Sequence, residues 1–143
     1  MLLYIYIFIY IMANFIDNSN IRALVRAYTE DRNNLPHELR GIPIGDWDVS
    51  DVTDMSQLFW WCRDFNEPLN NWNVSNVTNM FGMFNHCSNF NQDLSNWDVS
   101  NVTNMRIMFE RCENFNQDLS NWDVSKVENI KVCFLLVENL IKI

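Results

Sequence analysis

Apolar residues fall on a fixed grid along most of this chain. Trp47, Trp72, Trp97 and Trp122 stand at a constant 25-residue spacing, and each opens the same pattern. In one unit the apolar positions are Leu94, Trp97, Val99, Val102, Met105, Met108, Phe109, Cys112 and Phe115. The preceding unit offers Leu69, Trp72, Val74, Val77, Met80, Met83, Phe84, Cys87 and Phe90, and the first differs only in Ile44 and Leu58. A strict period of this length is the mark of an array in which each repeat packs on its neighbours. The register divides residues 44–143 into four units, 44–68, 69–93, 94–118 and 119–143.

The spacing changes within a unit. Trp97 and Val99 are two apart with Asp98 between them, the period of a strand. Met105, Met108, Phe109 and Cys112 follow at i, i+3, i+4, i+7, the period of a helix, with Thr103 and Asn104 placed as caps. Asn-Gln-Asp at 91–93 and 116–118 turns the chain back. The pattern therefore predicts an α/β solenoid, a leucine-rich-repeat-like coil of four 25-residue turns, each a short strand, a bend and a short helix. Upstream, Ile21, Leu24, Val25 and Tyr28 describe an amphipathic helix with Asn18, Ser19 and Asn20 as N-cap candidates, and Asp31 to Asn34 with Pro36 end it. Residues 14–43 are read as this helix and a lead-in, covering the apolar end of the first unit.

The two ends are less regular. Residues 1–13 form an apolar leader too short to span a bilayer, which needs about 20 residues. It has the length of a signal-peptide core but no basic start and no small-residue cleavage site. Three readings stand: initiation at Met12, a degenerate signal or anchor, and a strand. Localisation follows them, cell surface or secreted for a signal and intracellular otherwise. The fourth unit keeps Leu119, Trp122, Val124 and Val127, then carries Leu135 and Leu136 at positions that are usually polar. That predicts an exposed apolar edge, which either pairs with another copy or continues into a longer array.

Composition narrows the function classes. A net charge of −8 argues against nucleic acid and anionic membrane surfaces. Cys62, Cys87 and Cys112 share the period while Cys133 does not, so three cysteines stack in parallel and are expected to be buried thiols rather than disulfides or metal ligands. No phosphate loop, nucleophile elbow or zinc spacing is present. His37 and His86 lack an acid or nucleophile at a repeating relation. Neither an enzyme nor a cofactor is expected.

Two sets of residues remain as candidates for a partner-binding face. Asp48, Asn73, Asp98 and Asp123 form one polar file, and Asp46, Asn71, Asn96 and Asn121 form another beside it. Adjacent carboxylates such as Asp98 and Asp123 are expected to raise a pKa or recruit a cation, against the plainer reading of a solvated face of bend-capping side chains. The Asp46 to Asp54 run lacks the glycine and terminal Glu of an EF-hand loop. Trp60 and Trp61 break the repeat where other units have Asn85-His86 and Glu110-Arg111. They are read as lying under the N-terminal helix or as a binding hot spot. The sequons at Asn73, Asn76 and Asn101 follow from the repeat itself and say little about secretion.

The run Asn-Trp-Asp-Val-Ser-Asn-Val-Thr-Asn-Met-x-x-Met-Phe-x-x-Cys-x-x-Phe-Asn-Gln-Asp-Leu-Ser resembles the repeat of the BspA-like leucine-rich-repeat surface proteins, a group that includes mycoplasma-type lipoprotein repeats of unknown function. The likeness covers residues 44–143. It implies a solenoid and surface adhesion or protein binding, and it brings no catalytic residues. A lipoprotein cysteine near the N-terminus is absent. The expected function is a non-catalytic protein-binding module with an unknown protein partner. The rivals are a calcium- or carbohydrate-dependent adhesion module and a structural piece of a longer array.

Overall fold

The computed structural model describes residues 16–128. Among them there is one α-helix, α1 (Ile21–Glu30), with two short 3-10 turns at Arg32–Asn34 and Ile44–Asp46. Extended pairing is confined to isolated parallel bridges, Asp54 with Asn79 and Asn79 with Asn104. The α/β solenoid of strand–bend–helix turns is therefore overturned. No repeat among the described residues contains an α-helix, and no sheet runs through them.

Backbone hydrogen bonding supplies the reason. Between residues 55 and 62 successive N–H groups alternate in destination. Those of Leu58, Trp60 and Cys62 donate three residues back, to the carbonyls of Met55, Gln57 and Phe59. Those of Met55, Gln57, Phe59 and Trp61 instead donate into the next unit, to the carbonyls of Asn79, Phe81, Met83 and Asn85. The second unit does the same, with Met80, Gly82, Phe84 and His86 donating to Asn104, Arg106, Met108 and Glu110. An α-helix would send each N–H to a carbonyl four residues back in its own segment. Here half of them leave the segment, and what forms is a ribbon of overlapping turns.

The ribbon needs a left-handed residue at every fourth position. Gln57 and Trp61, Gly82 and His86, and Ile107 and Arg111 fill these places, with φ between 52° and 67°. Met55, Leu58, Phe59 and Cys62 nonetheless point inward at the i, i+3, i+4, i+7 spacing, and the corresponding residues of the next two units are buried. The helical period thus identifies the inside of the ribbon correctly and its backbone wrongly. The predicted strand fails in a similar way. Trp97 and Val99 are buried with Asp98 exposed between them. However, the segment is bounded by turns from the Trp97 N–H to the Leu94 carbonyl and from the Val102 N–H to the Val99 carbonyl.

The core is a set of aromatic files running from unit to unit. Phe59, Phe84 and Phe109 stack at 5.3 and 5.6 Å. Phe65, Phe90 and Phe115 stack at 5.9 and 5.8 Å. Trp72, Trp97 and Trp122 stack at 6.5 and 6.3 Å with their planes within 3°. Each such pair is worth about 0.5–1.5 kcal/mol beyond its area burial. The indoles of Trp72, Trp97 and Trp122 donate to the carbonyls of Ile44, Leu69 and Leu94. The thiols of Cys87 and Cys112 donate to those of Phe59 and Phe84. Burial pushes both thiols up, Cys112 to about 12. These cysteines are free thiols, as their common register predicts.

At the other end α1 lies over the first unit, burying Ile21, Val25 and Tyr28. Of the three N-cap candidates Asn20 takes the position, and it makes no side-chain cap bond. Asn18 instead joins the helix end to the first unit. Its Oδ1 accepts from the N–H groups of Thr53 and Asp54, and its Nδ2 donates to Thr53 Oγ1. In the later units the N–H groups of Thr78 and Thr103 donate to the Thr53 and Thr78 carbonyls. One side-chain amide therefore replaces the carbonyl that a preceding repeat would have offered. Arg22 completes the seam by donating to Asp54, Ser56 Oγ and the Ser56 carbonyl. The leader at 1–13 and the apolar edge at Leu135 and Leu136, with the self-association read from it, lie outside the described residues.

Candidate functional site

The regular polar face is occupied by its own backbone. Asp48, Asn73, Asp98 and Asp123 each accept the N–H of the serine two residues on, closing an Asx turn in every unit. The expected rise in carboxylate pKa does not occur. Hydrogen bonds from the hydroxyl and N–H of Ser100 hold the Asp98 carboxyl below its usual range, and Asp123 opposes this only weakly. Ser125 does the same for Asp123. Both carboxylates are fully solvated, so their mutual repulsion is screened and local hydrogen bonding wins. Asp46, Asn71, Asn96 and Asn121 lie at the solvent-facing side of the turns. Among the described residues no three His, Cys, Asp or Glu side chains are placed to hold a metal ion.

The amide ladders form at other positions. Asn76 and Asn101 donate to the carbonyls of Ser50 and Ser75. The N–H groups of Asn91 and Asn116 donate to the side-chain oxygens of Asn66 and Asn91. These bonds tie one unit to the next. With the Asx turn at Asn73, they leave all three sequon asparagines in structural hydrogen bonds.

Trp60 and Trp61 part company. Trp60 is half-buried, tilted against Phe81 at 6.2 Å, and its ring lies over Gly82. Trp61 is 51% exposed, the one exposed large hydrophobic side chain among the described residues. The reading that sets the pair beneath the N-terminal helix does not hold for it. One face of its ring is stacked on His86 at 3.9 Å, and the Arg63 guanidinium stands 5.0 Å from the ring centre.

Beside Trp61 opens a cleft of about 700 Å³ between the C-terminal end of α1 and residues 60–67, lined by Tyr28, Thr29, Glu30, Arg32, Trp61 and Arg63 among others. Its floor is rigidly built. The Tyr28 hydroxyl donates to Glu67 at 2.6 Å and accepts the buried Ile44 N–H at 3.3 Å. Burial, with that carboxylate as a further cause, raises the Tyr28 pKa. Arg32 pairs with Glu67 at 2.7 Å and lies 4.0 Å over the Tyr28 ring. Sequence reasoning missed His86, Arg63 and this cleft. The available signal was that His86 and Arg111 share the register position of Trp61. The cleft presents an aromatic surface, a guanidinium and carboxylates, with the Cys62 thiol also among its lining.

Fold and site together define a small repeat protein of turn-built units with an aromatic cleft at its helical end. Residues 26–141 match the model of the family described as Mycoplasma protein of unknown function, DUF285, and the chain belongs to that family. No curated protein and no solved structure matches the chain, so the likeness to BspA-like leucine-rich-repeat surface proteins rests on the repeat sequence alone. Among the described residues no helix is long and apolar enough to cross a membrane.

Proposed function

We propose that the protein is a non-catalytic binding module that docks a partner protein at the cleft between α1 and residues 60–67, with Trp61 as the anchor. The observation that carries this is the exposure of Trp61 beside an open cleft, in a chain whose other large apolar side chains among the described residues are buried or partly buried. Exposed Trp and Arg are the side chains from which interface hot spots are most often built, and truncating such an anchor costs about 2 kcal/mol or more. The Asp/Asn files are a weaker choice of binding face, because the oxygens of Asp48, Asn73, Asp98 and Asp123 already serve Asx turns.

The full chain and its Trp61→Ala variant, each immobilised and exposed to extract of the source organism, test the reading. A protein recovered by the wild type and lost with Trp61→Ala is expected. Equal recovery by the two, with Asp98→Ala abolishing it, would return the function to the polar face.

A further inference from the structure

We infer that the partner presents a basic segment to the cleft between α1 and residues 60–67, where an Arg or Lys side chain takes the place of Arg63 on the Trp61 indole; this rests on the protein-binding reading above. Two arrangements inside the cleft and the charge around it point there.

The first arrangement is a cation already seated on an aromatic face. Arg32 lies 4.0 Å over the Tyr28 ring, and an ion pair of 2.7 Å to Glu67 fixes it there. The Tyr28 hydroxyl donates to the other oxygen of Glu67, so ring, cation and carboxylate form one closed set. The negative face of the ring attracts the guanidinium, and the carboxylate holds it in place.

The second is that Trp61 repeats this arrangement without the lock. The Arg63 guanidinium stands 5.0 Å from the centre of the indole, against 4.0 Å for Arg32 over Tyr28. Arg63 enters none of the ion pairs among the described residues, which join Arg22, Arg26 and Arg32 to Asp54, Glu30 and Glu67. Trp61 and Arg63 are both exposed. His86 stacks on the indole at 3.9 Å, which steadies the ring and leaves it one face for a cation. Arg63 is thus a loosely held occupant of a surface that suits a cation, and a side chain delivered by a partner can exchange with it.

The lining supplies the counter-charge. Its charged side chains are Glu30, Asp64 and Glu67 against Arg32 and Arg63. Glu67 is taken by Arg32 and Tyr28. Asp64 accepts from the neutral amide of Asn89, which leaves its charge in place. Glu30 pairs with Arg26 on the exposed side of α1, a contact weak enough to be exchanged. When Arg63 is displaced, the cleft therefore keeps two carboxylates for the incoming cation. Beyond the cleft, a net charge of −8 draws a basic segment in and holds an acidic one off.

The probe is a short dye-labelled peptide of alternating Arg and Gly, titrated against the full chain and followed by fluorescence anisotropy, with a Glu-Gly peptide as the opposite-charge control. Binding of the Arg-Gly peptide alone, weakening as salt rises, is expected. Trp61→Ala removes no charge and should weaken it about tenfold or more. Arg63→Ala vacates the indole and should strengthen it about two- to fivefold. Arg106→Ala makes the same change of charge in the third unit and should move it far less. Asp64→Asn should weaken it severalfold and Asp98→Asn should not; Asn73 already fills the place of Asp98 in the second unit. All five side chains are exposed, so the variants keep the fold. Absence of peptide binding, wild-type binding by Trp61→Ala, or an effect of Arg63→Ala no larger than that of Arg106→Ala overturns the proposal. So does tighter binding of spermine than of the peptide, or a dimer in sedimentation that Trp61→Ala dissociates. If peptide binding fails while Trp61-dependent capture persists, the basic partner is wrong and the cleft stands. Loss of both removes the binding reading as well.

Discussion

Gly82 and Trp60 form a pair whose coupling can be measured. A Cβ built on Gly82 would lie 2.5 Å from Trp60 Cζ3 and 2.8 Å from Cε3, and the backbone there has a φ of +58°. Gly82→Ala therefore carries two separable costs. The left-handed conformation costs an alanine about 1 kcal/mol relative to glycine. The clash must be relieved by moving the indole off Phe81, at about 1–2 kcal/mol for overpacking of a half-buried site. The expected total is about 2–3 kcal/mol.

The neighbouring units indicate that the second cost is decided by volume. Gln57 and Ile107 hold the same backbone conformation with side chains in place. The residue over Ile107 in the Trp60 register is Asn85, which donates to the Ile107 carbonyl. A large residue at one position is thus matched by a small one at the other. In a Trp60→Ala background, Gly82→Ala should cost only about 1 kcal/mol, giving a coupling of about 1–2 kcal/mol. Urea unfolding of all four proteins, followed by the fluorescence of the remaining tryptophans, measures it. An equal cost of Gly82→Ala in both backgrounds would refute the steric argument and leave conformation alone.

Three further outcomes follow from the same structure. Ile107 is a β-branched residue in a left-handed conformation, only partly buried, and Ile107→Gly should raise the unfolding free energy by about 0.5–1 kcal/mol in urea; a loss of stability would show that its packing outweighs its strain. Tyr28→Phe removes the hydroxyl that joins Glu67 to the buried Ile44 N–H, and should cost about 2–3 kcal/mol by the same assay, whereas a loss below about 0.5 kcal/mol would mean that water replaces it. The thiols of Cys87 and Cys112 ionise well above the ordinary value of 9.0. The native state therefore holds its protons longer than the unfolded chain, and the stability present below about pH 9 is lost as pH rises. Each thiol should account for about 1 kcal/mol of loss between about pH 9 and pH 10. Alkaline unfolding of a Cys87→Ala/Cys112→Ala variant checks this, and an undiminished pH slope would contradict it.

The sequence by itself determined the 25-residue register, the identity of the buried residues, the parallel file of cysteines and the span of α1. Each depends on which side chains face inward, and inward-facing side chains leave a periodic trace. The backbone that carries them was decided by the tertiary structure. Met55, Leu58, Phe59 and Cys62 have the spacing of a helix face, yet a ribbon of overlapping turns places the same four residues inward. The two differ in the destination of alternate N–H groups, which bind carbonyls 24 residues further along the chain, and no local pattern records a bond of that range. The repeating Trp-Asp-Val-Ser motif is likewise legible as core and turn, whereas the exposure of Trp61 depends on where α1 ends and on which residues of the next unit lie beside it. Function follows the same division. The repeat specifies how the units bind one another, and the cleft exists only once α1 is set against the first unit.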